Sequence, residues 1–226
     1  MARMARLVVP GYPHHVTQRG SRGQQTFFDD SDYEAYLQML AQRKAEARAE
    51  IWAYCLMPNH VHVVAVPSHP RGLAELFGVV HKQYALRVNE ANGWSGHLWQ
   101  ERFYSVVMDE SHLLAAVRYV ELNPVRAGLC AQPEHWPWSS AATHLNGADD
   151  NLLSLDPMKS RVPDWRSYLA QESVPAKLEE LRRHTRSGRP AGDERFVETL
   201  EVLTGRRLRR RKPGRKKVDV EEGKLG

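Results

Sequence analysis

His60 and His62 stand two apart in the stretch Tyr54-Cys55-Leu56-Met57-Pro58-Asn59-His60-Val61-His62-Val63-Val64. The run after the Pro-Asn turn is apolar and β-branched, which predicts a strand. Residues two apart on a strand point to one face. Both imidazoles therefore project together, while Val61 and Val63 point the other way. Two neutral imidazoles side by side make half of a divalent-cation site. A pair of histidines on the polar face of a half-buried strand would have the same pattern, so the pair alone decides nothing.

A second constellation bears on it. Ser111 to Asn123 is predicted to be a helix, with Ser111 as its N-cap and Pro124 ending it. Its apolar stripe is Leu113, Ala116, Val117 and Val120. Tyr119 and Asn123, four apart, share a face away from the centre of that stripe. A tyrosine placed for packing alone belongs on the stripe. A phenol beside a metal site can act as a nucleophile and form a covalent intermediate, and the Asn123 carbonyl oxygen could be a third ligand. Phenol ionises near pH 10, so the attacking group must give up a proton. No general base is obvious; His112 is the candidate on the same helix face.

The two motifs and their surroundings resemble a known family, the REP-associated tyrosine transposases, single-tyrosine HUH transposases of the IS200-like kind. Five blocks carry the resemblance in order: Gly11 to Gly20, Tyr54 to His62, Gly96 to Phe103, Tyr119 to Gly128, and Trp136-Pro137-Trp138-Ser139-Ser140. Together they span most of residues 7–145. One departure is Tyr104, where many relatives carry Lys. The resemblance implies Tyr119 as nucleophile, His60, His62 and Asn123 as ligands, and Mg²⁺ or Mn²⁺ as the ion. Two imidazoles alone would also suit Zn²⁺ or Ni²⁺. It implies cleavage of single-stranded DNA that folds as REP-like hairpins, through a 5′-phosphotyrosine link, as in DNA transposition. No small-molecule substrate is expected.

In composition, the 226 residues suit one domain with an appendage. Hydrophobic residues make 42% and charged residues 26%, ordinary for a soluble protein. No apolar run is long enough to span a bilayer, and the N-terminus lacks a signal-peptide core. Cys55 and Cys130 form no disulfide framework. A cytoplasmic, nucleoid-associated protein without membrane contact is expected.

The net charge of +5 is uneven. Residues 206–226 carry ten basic and three acidic side chains, +7; residues 1–205 carry 22 and 24, −2. The basic ones include Arg206, Arg207, Arg209, Arg210, Arg211, Lys212, Arg215, Lys216 and Lys217. Such a block binds polyanions by releasing counterions. Arg19 and Arg102 are further candidates for phosphate contact. Gln18 is a candidate beside Arg19, and His15 and Thr17 are expected on the strand face that carries the histidines, for packing or DNA contact rather than metal binding. The tryptophans suit base stacking or, more often, cores.

The elements that must position these groups follow from periodicity. Strands are predicted at His14–Arg19, Ile51–Leu56, His60–Val66 and Phe103–Met108. Helices are predicted from Ser31, with a Ser31/Glu34 capping box, to about Ala49, and from Leu73 to about Ala91. The order β-α-β-β-α-β-α predicts an α+β fold, ferredoxin-like, with an antiparallel sheet and helices on one face. The domain reading is 1–145 for the nuclease-like unit, 146–192 as an irregular connection, and 193–226 as a short helix with the basic tail.

Two other functions compete. A catalytically silent DNA-binding regulator would keep the fold without the chemistry; the presence of both histidines, Tyr119 and Asn123 argues against that loss. A zinc hydrolase built on His-x-His-x-Asp-His is set aside, because Val63-Val64-Ala65 supplies no acid or third histidine. Oligomeric state, monomer or homodimer, is open.

Overall fold

The alternating strand patterns build one antiparallel sheet from β1 (His14–Arg19), β2 (Ala49–Met57), β3 (His60–Pro67) and β4 (Tyr104–Val107), in the order β2-β3-β1-β4. The computed structural model describes residues 5–171 and 175–209, so Arg210, Arg211, Lys212, Arg215, Lys216 and Lys217 lie outside the described residues. β2 and β3 form a hairpin across Pro58-Asn59, and β1 lies between β3 and β4. Helix α1 (Asp30–Glu46) links β1 to β2, and α2 (Gly72–Asn92) links β3 to β4. This is the expected ferredoxin-like βαββαβ arrangement.

Each sheet face has its own apolar layer. Val16, Tyr54, Leu56, Val61, Val63 and Ala65 meet Tyr36 and Leu40 of α1 and Leu76, Phe77, Val80 and Tyr84 of α2. Ala53, Cys55, Met57, Val64, Val66 and Val106 face the other way, against Leu113, Ala116, Val117 and Val120 of α3 (Glu110–Glu121). The alternation that buries Val61 and Val63 under α1 and α2 turns His60 and His62 toward α3.

Helix ends differ in detail from expectation. Asp29, not Ser31, caps α1 by accepting from the Asp32 amide; Ser31 donates to the Asp29 carboxylate instead. Asp109, not Ser111, caps α3. Both aspartates are equally good N-caps lying two residues upstream, so each helix gains part of a turn. α3 ends at Glu121. A short α4 (Asn123–Arg126) follows, with Pro124 in its first turn, where a missing amide hydrogen costs nothing.

The segment 146–192 is not irregular. After α5 (Ala141–Asn146) it holds α6 (Asp156–Lys159), α7 (Trp165–Ala170) and α8 (Pro175–Ser187). The first two are too short to show a 3.6-residue period, and α8 has a charged sequence on which Leu181 is buried. They complete the second layer through Met158, Trp165, Tyr168, Leu169 and Leu181. Both sheet edges are paired as well. Residues 138–140 and Ser154 bond to β2, and Ala191 exchanges bonds with Val107 and Asp109 beyond β4, leaving little exposed edge for unwanted strand pairing. Finally α9 (Glu194–Thr204), capped by Asp193, docks Leu200 with Leu208 on Leu7, Val9 and Val107.

Candidate active site

Strand register builds the site. Thr17 of β1 lies opposite His62 of β3, and His15 lies opposite Val64, so His15, Thr17, His60 and His62 occupy one sheet face. Tyr119 comes down from α3 onto that face. Its ring is edge-on to His62, with centroids 5.4 Å apart at 89°, and edge-on to His15 at 6.4 Å. These groups line a cavity of about 240 Å³ closed on one side by Leu181, Arg182, Thr185 and Arg186 of α8.

The hydrogen bonds fix which imidazole nitrogens are free. Asn59 donates its amide N–H to the Gly23 carbonyl (3.0 Å), which turns its carbonyl oxygen to His60 Nδ1 at 2.6 Å. Nδ1 of His60 therefore carries the proton, and Nε2 keeps a lone pair. A longer relay does the same for His62. Thr185 donates its hydroxyl proton to the Leu181 carbonyl (2.9 Å), so its oxygen can only accept from His15 Nδ1, at 3.5 Å. His15 Nε2 must then accept from His62 Nδ1–H, at 2.9 Å. Nε2 of His62 is left as a lone pair, and that atom is buried without a hydrogen-bond partner.

Electrostatics keep the imidazoles neutral. Burial and the nearby Arg19 guanidinium lower the His60 pKa to about 4. Burial lowers His15 to about 4. His62 is pushed well below its ordinary value by burial first, then by His60, His15, Arg126 and Arg182. Neutral imidazoles with oriented lone pairs are what a divalent cation requires. Among the described residues no group of three His, Cys, Asp or Glu is placed to hold a metal ion, so a third protein ligand would have to be an amide or hydroxyl.

Two cations flank the phenol. The Arg126 guanidinium sits 4.5 Å from the Tyr119 ring centroid and donates to the Tyr119 carbonyl; Arg182 sits at 5.7 Å. Arg19 lines the cavity. Asn123 is on α4, nearly buried, with its amide nitrogen unpartnered, and is not among the residues lining the cavity. His112 is engaged by the Asp109 carboxylate at 2.8 Å and is also off the cavity. Arg102 lines a different cavity, beside α2. Arg206 donates to the Ala5 and Arg6 carbonyls, Arg209 pairs with Glu198 and Glu201, and Arg207 is exposed.

Sequence reasoning left three groups unplaced. His15 was on the expected face, but nothing in its spacing marked it as the partner of His62. Arg182 stands in a charged stretch that nothing in the sequence ties to the histidines. Glu121, two residues after Tyr119, is fully buried and accepts from Ser140, His144 and Trp165.

A family model described as "Transposase IS200 like" matches residues 11–123, half of the chain, including His60, His62 and Tyr119. This chain belongs to the IS200-like transposase family. A REP-associated tyrosine transposase of Escherichia coli K12 is 22% identical over 111 residues, 49% of this chain and 65% of the relative. A Haemophilus influenzae protein provisionally given the same description is 24% identical over 102 residues, 40% of this chain and 58% of the relative. The chain thus spans less than two thirds of either relative. The solved structure of a REP-associated tyrosine transposase bound to a REP hairpin superposes with a TM-score of 0.55 at 22% identity, over 69% of this chain and 93% of that one. The IS200-like fold is shared. The family match ends at Asn123, so α5 to α9, with the α8 wall of the cavity, lie beyond it. No helix among the described residues is long and apolar enough to cross a membrane.

Proposed function

We propose that this IS200-like transposase cleaves and rejoins single-stranded DNA, with Tyr119 as the nucleophile, acting on hairpin-forming repeats like those of the REP-associated relatives. The observation that carries the reading is one cavity in which Tyr119 meets two neutral histidines whose Nε2 lone pairs are both oriented by other side chains. Histidines present for packing would not need that relay.

The residues fit a divalent cation, Mg²⁺ or Mn²⁺. His60 Nε2 and His62 Nε2 would hold it, with the carbonyl oxygen of Asn123, a residue outside the cavity lining, as the third candidate ligand. When bound, such an ion supplies Lewis-acid polarisation of a phosphate oxygen. The chain's own groups do the rest. Arg19, Arg182 and Arg186 face the cavity and suit the charge of the entering phosphodiester. The Tyr119 oxygen forms a bond to phosphorus as its proton is lost; the bond to the 3′ oxygen breaks, and that oxygen takes up a proton. The products are a 5′-phosphotyrosine link and a free 3′-hydroxyl. Because the link conserves the phosphodiester energy, a 3′-hydroxyl can later attack it and rejoin DNA without an outside energy source.

The test is a denaturing gel of purified protein with labelled single-stranded hairpin DNA and Mg²⁺ or Mn²⁺. Wild type should give a slow, protease-sensitive band that EDTA abolishes and that Tyr119→Phe and His62→Ala lack. Absence of any adduct or cleavage, with hairpin binding intact, would instead establish a DNA-binding regulator on this fold.

A further inference from the structure

A second, larger cavity of about 630 Å³ lies on the opposite layer, between α2 and the loop 96–103 that leads into β4. Its floor on α2 is made of small residues one helical turn apart, Ala74, Gly78 and Ala85 with Lys82 between, so the helix surface is recessed there. Leu86, 58% exposed, stands at the rim, with exposed His97 across from the helix on the loop. Lys82 and Arg102 are exposed on the same rim, and Arg6 also contributes; Glu101 is the one carboxylate. The two cavities share one lining residue. Gln18 lines both cavities, and its side chain donates to the Glu101 carbonyl at 2.6 Å. Arg19 and Tyr104 of the active-site cavity adjoin the same corner.

We infer that this groove binds unpaired nucleotides of the DNA strand whose phosphodiester lies at Tyr119. The inference rests on the DNA-processing reading above and extends it to a binding subsite. An apolar trough with a cationic rim matches the chemistry of a single strand, whose base planes are free to lie on apolar surface while its phosphates meet Lys82 and Arg102. A duplex hides those planes by stacking. The volume falls in the range of sites that enclose small organic groups. Phe103 lines this cavity and Tyr104 the other, so a strand lying at Tyr119 comes close to the groove. The family match, residues 11–123, includes this loop.

Gly78 offers a clean test. A Cβ built there meets nothing within 4 Å, so a side chain at 78 has room to leave the helix toward the groove, and replacing glycine favours the helix. Full-length wild type, Gly78→Ala and Gly78→Leu would be titrated by fluorescence anisotropy with a short fluorescein-labelled single-stranded DNA of mixed sequence and with the same DNA as a duplex. Gly78→Leu should lose about tenfold or more in single-strand affinity. Gly78→Ala should stay near wild type, and duplex affinity should be equal in all three. Equal single-strand affinity of wild type and Gly78→Leu, with unchanged melting temperatures, overturns the subsite. A parallel loss on duplex also overturns it, since the groove would then sense only charge or fold. If wild type forms no covalent adduct but Gly78→Leu still loses single-strand binding selectively, the cleavage reading fails and the groove stands.

Discussion

At the scale of single residues, the site is made by proton placement. The free imidazole nitrogens are selected by what holds the other side of each ring: Asn59 for His60, and the Thr185–His15 relay for His62. Outer partners of this kind fix tautomer and ring orientation, and their loss commonly costs about 10- to 100-fold in metal affinity. His15→Phe removes the acceptor for His62 Nδ1–H while filling similar space on the sheet face. Its Mn²⁺ affinity, followed by titration calorimetry on folded protein, should fall by about that factor, while the melting temperature without metal drops only by what one unpaired His62 N–H costs. A variant that binds Mn²⁺ as tightly as wild type would reduce His15 to packing. The same relay explains why the sequence alone displayed His60 and His62 but not His15. Two histidines at i and i+2 announce a shared face, whereas the 2.9 Å contact joins positions 47 residues apart.

At the scale of elements, the helix that carries Tyr119 is held from behind. Residues two apart on a helix point to nearly opposite sides, so Tyr119 faces the cavity while Glu121 turns into the protein. There its carboxylate accepts from Ser140 Oγ (2.6 Å), His144 Nδ1 (2.5 Å) and Trp165 Nε1 (2.7 Å), joining α3 to α5 and α7 with no solvent exposure. Glu121→Ala would leave the buried His144 and Trp165 N–H groups without this acceptor, while Ser140 Oγ keeps the Tyr54 carbonyl, and each stranded group costs about 1–3 kcal/mol. Urea unfolding should therefore show a loss of about 3 kcal/mol or more. Glu121→Gln, whose amide oxygen still accepts, should lose less. An Ala variant within a few tenths of wild type would show that the network is not closed in solution. This element-level anchoring was illegible beforehand because its partners lie 19, 23 and 44 residues away. By contrast the sheet was legible, since period-two alternation in β1 and β3 and the Pro58-Asn59 turn are local signals. So were α1 and α2, whose apolar spacing runs over several turns. α8 was not, because its charged sequence hides the Leu181 contact that seats it against α3 and places Arg182 at the cavity.

At the scale of the whole molecule, the charge is divided between a nearly neutral body and a basic C-terminal stretch, and the boundary is not where the charge begins. Arg206 and Arg209 already serve the fold. Arg206 clamps the Ala5 and Arg6 carbonyls, Arg209 pairs with Glu198 and Glu201, and Leu208 between them is 2% exposed in the cluster with Leu7 and Leu200. Removing residues 206–226 would therefore disturb packing as well as charge. Removing residues 210–226 takes away seven basic and three acidic side chains, a net +4, and spares those interactions. If the tail grips the phosphates of a hairpin stem, this shorter deletion should weaken hairpin binding at low salt. The plot of log affinity against log salt should flatten by about 0.9 for each phosphate that the tail had neutralised. Melting temperature should be unchanged, and so should adduct formation at saturating DNA, because Tyr119 and its histidines lie in the body. An unchanged salt slope would place the electrostatic grip on the body instead, where Arg19, Lys82, Arg102, Arg182 and Arg186 line the two cavities.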